Sequence, residues 1–166
     1  MRISLGAASL VIALASSVPA IAATSGMVSG QGALSSDPRR NFSVSAKINA
    51  DGSATGHATL INKAFTGENG KAPYLLQLDI KCGKMVDATT AIFGGTVKRT
   101  NDPSLVDTVY FSVQDNGEPG AGKDKVSRAY FWDNDPATQG PPSACLNSTL
   151  ADVPLETIVS GNLNVK

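Results

Sequence analysis

From Asp107 to Gly120 the chain reads Asp-Thr-Val-Tyr-Phe-Ser-Val-Gln-Asp-Asn-Gly-Glu-Pro-Gly, and no other stretch limits the fold as much. Val109, Phe111 and Val113 alternate with Thr108, Tyr110, Ser112 and Gln114. A period of two is what a β-strand with one buried face requires, because successive side chains point to opposite sides of the pleat. The following Asp115-Asn116-Gly117 supplies residues that tolerate positive φ and can reverse the chain.

The same period recurs along the sequence. Phe42, Val44, Ala46 and Ile48 alternate with Ser43, Ser45 and Lys47, and Asn49-Ala-Asp-Gly52 is a hairpin signal before Ser53 to Ile61. Tyr74, Leu76, Leu78 and Ile80 form a third inward-facing series, ended by Gly83. Ala91, Phe93, Gly95 and Val97 follow, with Gly94-Gly95 marking a bulge or a close backbone approach. Asp124 to Trp132 reads as a returning strand, Ala137 to Pro154 as an irregular, proline-rich crossing, and Gly161 to Val165 as the last strand. No amphipathic helix stands out. Abundant Gly, Thr, Ser and Val support the same class. The expected fold is all-β: an antiparallel β-sandwich of about seven to nine short strands, with a closed barrel as the alternative.

The beginning of the chain has a different character. Arg2 precedes a short apolar run, and Ser16 to Ala23 ends in small residues that fit cleavage after Ala22 or Ala23. Residues 1–23 therefore read as a secretory signal peptide, since the run is too short to cross a bilayer, which takes about 20 helical residues. Residues 24–38, rich in Gly, Ser and Ala, read as a loose arm with at most a short edge strand at Gly26 to Gly32, and 39–166 as one β domain. The mature chain is expected to be secreted, either extracellular or periplasmic, without a transmembrane segment. Removing Arg2 leaves 13 of the 14 Lys and Arg against 14 Asp and Glu, a net charge of about −1 that gives no attractive field for nucleic acid. Cys82 and Cys145, an even pair in an exported chain, are most simply a disulfide.

The strand ending Ser112-Val-Gln-Asp-Asn-Gly-Glu-Pro-Gly120, Asp124-Lys-Val-Ser127, the Gly161-Asn-Leu-Asn-Val165 terminus and the Phe42 to Ala58 hairpin resemble a group of small exported bacterial β-domain proteins, the post-COAP-like secreted domains. The resemblance spans about Gly30 to Lys166. It implies a compact secreted β-fold and carries over no activity or catalytic residue.

Three constellations could carry chemistry. Asp115, Asn116, Glu118 and Asp124, with Asp133 and Asp135 as further candidates, offer the oxygen donors that calcium takes; the bland alternative is a hairpin turn with solvated acids at its tip. His57, the only histidine, could serve a hydrolase, but no Gly-x-Ser-x-Gly or His-Glu-x-x-His pattern accompanies it. Tyr130 and Trp132 share a strand face opposite Phe131 and form either an adhesive patch for a protein or glycan or a cap on the core. Aromatics at 5% argue against an extended stacking platform for bases or sugars. Asn147-Ser-Thr149 fits a glycosylation acceptor. The expected role is non-catalytic binding or structural service at or outside the cell envelope. A small secreted hydrolase and a calcium-stabilised adhesion or carbohydrate-binding module are the rivals.

Overall fold

The computed structural model describes residues 24–35, 40–63, 74–133 and 138–166. The signal-peptide expectation for Met1 to Ala23 and the candidate oxygen donor Asp135 lie outside them. Among the described residues nine strands form: β1 (Gly26–Leu34), β2 (Arg40–Ile48), β3 (Ser53–Asn62), β4 (Tyr74–Met85), β5 (Thr90–Thr100), β6 (Thr108–Gln114), β7 (Lys125–Ser127), β8 (Tyr130–Phe131) and β9 (Leu155–Val165). One 3-10 turn, Pro142–Leu146, interrupts the crossing before β9.

β1 to β7 pair antiparallel in chain order, and β9 slots between β7 and β1. The result is a closed barrel of eight strands, with β8 paired to the start of β6 as a ninth. The all-β class holds, and the barrel alternative is the architecture formed in place of the sandwich. Strand pairing runs round the ring and covers its edges except at one seam between β7 and β9. Inward residues from all round it make one core: Val28, Phe42, Val44, Ile48, Leu76, Leu78 and Ile80 meet Val109, Val113, Ile158 and Leu163. Phe93 and Phe111 stack near the centre with ring centroids 5.2 Å apart.

Within the 24–38 arm the short strand foreseen at Gly26 to Gly32 forms and runs to Leu34; it is not an edge strand, since it pairs with β2 on one side and β9 on the other. Its alternation is hidden because small residues occupy inward positions. A Cβ on Gly32 would press against Phe42, and one on Gly30 against Leu163, so large side chains from neighbouring strands fill that space.

A second layer lies outside the barrel. In β4, Ile80 faces Gly95 and Cys82 faces Gly94, so Lys81 is the extra residue of a bulge. The bulge turns Cys82 outward, where it bonds Cys145 of the 3-10 turn across a Cα–Cα distance of 6.2 Å. Gly94 allows the turn to sit this close, since a Cβ there would lie 2.4 Å from the Pro142 carbonyl oxygen. Cys82, Ile92, Tyr110, Cys145 and Val153 form the buried cluster beneath. β6 is consequently buried on both faces, and the polar face read as solvated is not. The Thr108 hydroxyl donates to the Gly140 carbonyl, Tyr110 Oη to that of Pro141 (2.8 Å) and Ser112 Oγ to that of Val153 (2.6 Å). Thr, Tyr and Ser alternate on this face because the covering segment presents carbonyls that need donors.

The barrel has one seam that strand pairing does not close. β7 is three residues long and covers only Leu155 to Thr157 of β9. Past that point, Ile158 exchanges hydrogen bonds with the 115–124 loop, its N–H going to the Asp124 carbonyl and its carbonyl to the Gly122 N–H. Side chains then replace the missing strand. The Leu163 N–H donates to Asp124 Oδ2 at 2.8 Å, and the Val165 N–H to Asp115 Oδ2 at 3.1 Å. Asp124 Oδ1 accepts the Asn116 N–H at 2.8 Å and Asp115 Oδ1 the Gly117 N–H at 2.9 Å, which pins the loop that holds both acids. Asp124 is fully buried. Gly120 makes room for it, because a Cβ there would lie 2.1 Å from Asp124 Oδ2.

Hydrogen bonds from amides to a charged acceptor contribute about 1.5–3 kcal/mol each. Asp124→Ala deprives the Asn116 and Leu163 amides of their acceptor together. Urea denaturation is expected to show a loss of about 3 kcal/mol or more. A loss below about 1 kcal/mol would contradict the role given to this carboxylate.

Candidate functional site

The main apolar cavity among the described residues lies at the end of the barrel where β1 and β3 finish and β2 and β4 begin. It encloses about 250 Å³. Leu34, Leu60 and Ile61 form one wall; Tyr74, Leu105 and Phe131 form the other. The gap between β7 and β8 completes it, with Ser127, Arg128 and Ala129 bordering the space where the strand is interrupted. Among the described residues the polar groups are few: Arg40, Asn41 and Asn62 join Ser127 and Arg128, and no acidic side chain is among them. The Arg128 Nε–H donates to Glu156 Oε1. Burial, with a contribution from the nearby Asp102 charge, pushes the Tyr74 hydroxyl well above the ordinary tyrosine range. That cavity wall is therefore neutral at any physiological pH. Because the barrel interior is packed with the Phe93–Phe111 pair and its neighbours, the cavity occupies the end and does not run through. A wider depression of about 1190 Å³ at the opposite end mixes Asp51, Lys84, Asp87 and Thr149 with Met85 and Leu150. Among the described residues, acidic and basic side chains both line it, whereas the apolar cavity is bordered by two arginines alone of the charged residues.

The residues expected to bind calcium come together, but as amide acceptors. Asp115 and Asp124 close the seam, and Glu118 Oε1 accepts from Asn162 Nδ2 at 2.7 Å. Asn116 Nδ2 donates to the Lys123 carbonyl at 2.8 Å. Among the described residues no three Asp, Glu, His or Cys side chains converge as a metal site would need. The oxygen-donor pattern that suggested a metal is equally the pattern that satisfies a bare strand edge, and sequence alone cannot separate the two.

Strand register exposes a row that sequence spacing conceals. Ser45, His57 and Asp79 are cross-strand neighbours on the outer face of β2, β3 and β4. His57 Nδ1 lies 3.1 Å from Asp79 Oδ1, and Lys98 Nζ lies 3.4 Å from the same oxygen. No hydrogen bond joins Ser45 to His57, whose side chain is 72% exposed, and the row sits on the open outer surface of the sheet. A nucleophilic site needs contact between nucleophile and base and a sheltered oxyanion position. The row provides neither.

Tyr130 and Trp132 do share a face. Tyr130 packs onto the outer cluster, Phe131 turns to the barrel core, and Trp132 stands 49% exposed. The Trp132 ring lies 6.2 Å from Tyr110 at an interplanar angle of 51°. No family model, no curated protein and no solved structure matches the chain. Among the described residues no helix is long and apolar enough to cross a membrane.

Tyr110 gives this outer layer a pH signature. Burial, reinforced by the Asp107 charge, pushes its hydroxyl up to about 12. From about pH 10 upward the unfolded chain ionises this group while the native chain keeps the proton that donates to Pro141. The unfolded state then binds fewer protons, so stability falls as pH rises toward 12. Tyr110→Phe is expected to cost about 1 kcal/mol at neutral pH and to flatten the alkaline fall in a pH series of chemical denaturations. A slope parallel to that of the parent protein would contradict it.

Proposed function

We propose that this chain is an exported, non-catalytic β-barrel that binds a small, mainly apolar molecule in the cavity at the barrel end. The observation that carries the reading is the cavity itself, an apolar enclosure bordered by a handful of polar groups, the usual character of a small-molecule site. Export is supported by the charged, then apolar, then small-residue order of the first 23 residues and by the Cys82–Cys145 disulfide, which persists in oxidising compartments. The resemblance to small exported bacterial β-domains points the same way. Calcium has no part in this reading, because the Asp115 and Asp124 oxygens already serve β9 and their own loop.

A neutral, environment-sensitive dye, N-phenyl-1-naphthylamine, tests it. The oxidised mature protein is expected to enhance and blue-shift the dye's emission saturably at one site per chain. Ala129→Trp places an indole in the cavity without burying a charge, and is expected to weaken binding at least tenfold while leaving the thermal midpoint near that of the parent. The absence of a saturable signal, or undiminished binding by a folded Ala129→Trp variant, would overturn the proposal.

A further inference from the structure

Three of the chain's nine aromatic side chains, Tyr110, Tyr130 and Trp132, are gathered in one place on the outer layer. They line a cleft of about 290 Å³ with Phe131, facing Ser148, Asp152 and Val153 of the covering segment. The cleft exists because the Trp132 N–H continues the β8 pairing by donating to the Thr108 carbonyl (3.0 Å), while the covering segment returns toward β9 alongside. One side of the Trp132 indole rests on Gly140, where a Cβ would lie 2.1 Å from the ring. That contact seats the ring, and the side chain stays about half exposed.

The opposite wall is polar and rigid. Asp152 Oδ2 accepts both the backbone N–H (2.7 Å) and the hydroxyl (2.9 Å) of Thr149. These bonds hold the carboxyl below the usual carboxylate range, so it is charged at neutral pH. Its second oxygen accepts no hydrogen bond from a described residue. Ser148 Oγ donates to the Ala144 carbonyl at 3.1 Å and keeps its lone pairs for another donor.

We infer that this cleft is a saccharide-binding site, in which the exposed Trp132 face stacks on a sugar ring and Asp152 and Ser148 accept its hydroxyls. The chemistry selects this class. A pyranose has an apolar C–H face and a rim of hydroxyl donors. A flat, half-exposed aromatic beside a fixed carboxylate matches both at once. An apolar ligand would make no use of the carboxylate or the Ser148 hydroxyl, and a nucleic acid would meet a negative charge. The inference does not rest on the barrel-end cavity; the two share only Phe131, which the contacts proposed here do not use.

Trp132 is the only tryptophan of the chain, so intrinsic tryptophan fluorescence reports on this cleft alone. The oxidised mature protein would be titrated with hexasaccharides of β-1,4-glucan, chitin, α-1,4-glucan, β-1,3-glucan and mannan. At least one is expected to shift the emission saturably. By calorimetry with that sugar, Trp132→Ala and Asp152→Asn should each weaken binding at least tenfold, Trp132→Phe should retain part of it, and Ala129→Trp should leave it unchanged. Asp152→Asn keeps an acceptor for Thr149, so it tests the charge without unmaking the turn. If no hexasaccharide moves the emission, or if folded Trp132→Ala and Asp152→Asn variants bind as the parent does, the assignment is wrong.

Discussion

Two carboxylates take the place of a strand, and the barrel depends on them. A closed sheet must satisfy every backbone group around its circumference, yet β7 stops after three residues and leaves β9 beyond Thr157 without a strand partner on the side away from β1. Asp124 and Asp115 accept the alternate amides of Leu163 and Val165 that a longer β7 would have taken. Buried polar groups are costly unless hydrogen-bonded, and each Asp124 oxygen accepts a backbone amide, one from its own loop and one from β9. Both ends of the barrel follow from this choice. The loop that carries the acids consumes the chain that would have extended β7, and the wall at the far end opens between Ser127 and Tyr130, where the apolar cavity lies.

The outer layer depends on a second arrangement, centred on β6. Its inward residues Val109, Phe111 and Val113 serve the barrel core, and its outward Thr108, Tyr110 and Ser112 hold the covering segment by their hydroxyls. The buried Asp107 extends the series, accepting the Thr108 and Gly140 amides at one oxygen and the Asp133 amide at the other. The disulfide, the Lys84 Nζ bond to the Leu146 carbonyl at 2.9 Å and the small Gly94 complete the attachment. Cross-linking two positions separated by 63 residues restricts the unfolded chain by about 4 kcal/mol in the chain-entropy picture. The covering segment has little regular structure of its own to hold it in place.

The alternation of Phe42 to Ile48, Leu76 to Ile80 and Val109 to Val113 made strands and their inward faces legible from sequence. The Asn49 to Gly52 hairpin was equally plain. Sandwich and barrel share that alternation, so only pairing could decide between them. β1 is legible only as a short edge strand at Gly26 to Gly32, because glycines hold inward positions that Phe42 and Leu163 crowd, and its place between β2 and β9 is not encoded locally. The outer face of β6 read as solvated because hydroxyl side chains look alike whether they meet water or a buried carbonyl. The cysteine pair was legible from its number and the exported character of the chain. Asp115 and Asp124 were recognised as a site of concentrated oxygen donors, but their acceptors' partners are amides contributed from about 40 to 50 residues away, a distance no local motif encodes. Tyr130 and Trp132 were placed on one face by period alone, whereas the Tyr110 and Asp152 that complete their cleft come from other strands and loops.

Backbone amide exchange on the native mature protein measures the central claim most directly. If the two carboxylates close the seam, the Leu163 and Val165 amides exchange only through global unfolding, as slowly as core amides of β1 and β2. Exchange of these two amides at the rate of an exposed strand edge, with the rest of β9 protected, would contradict the account.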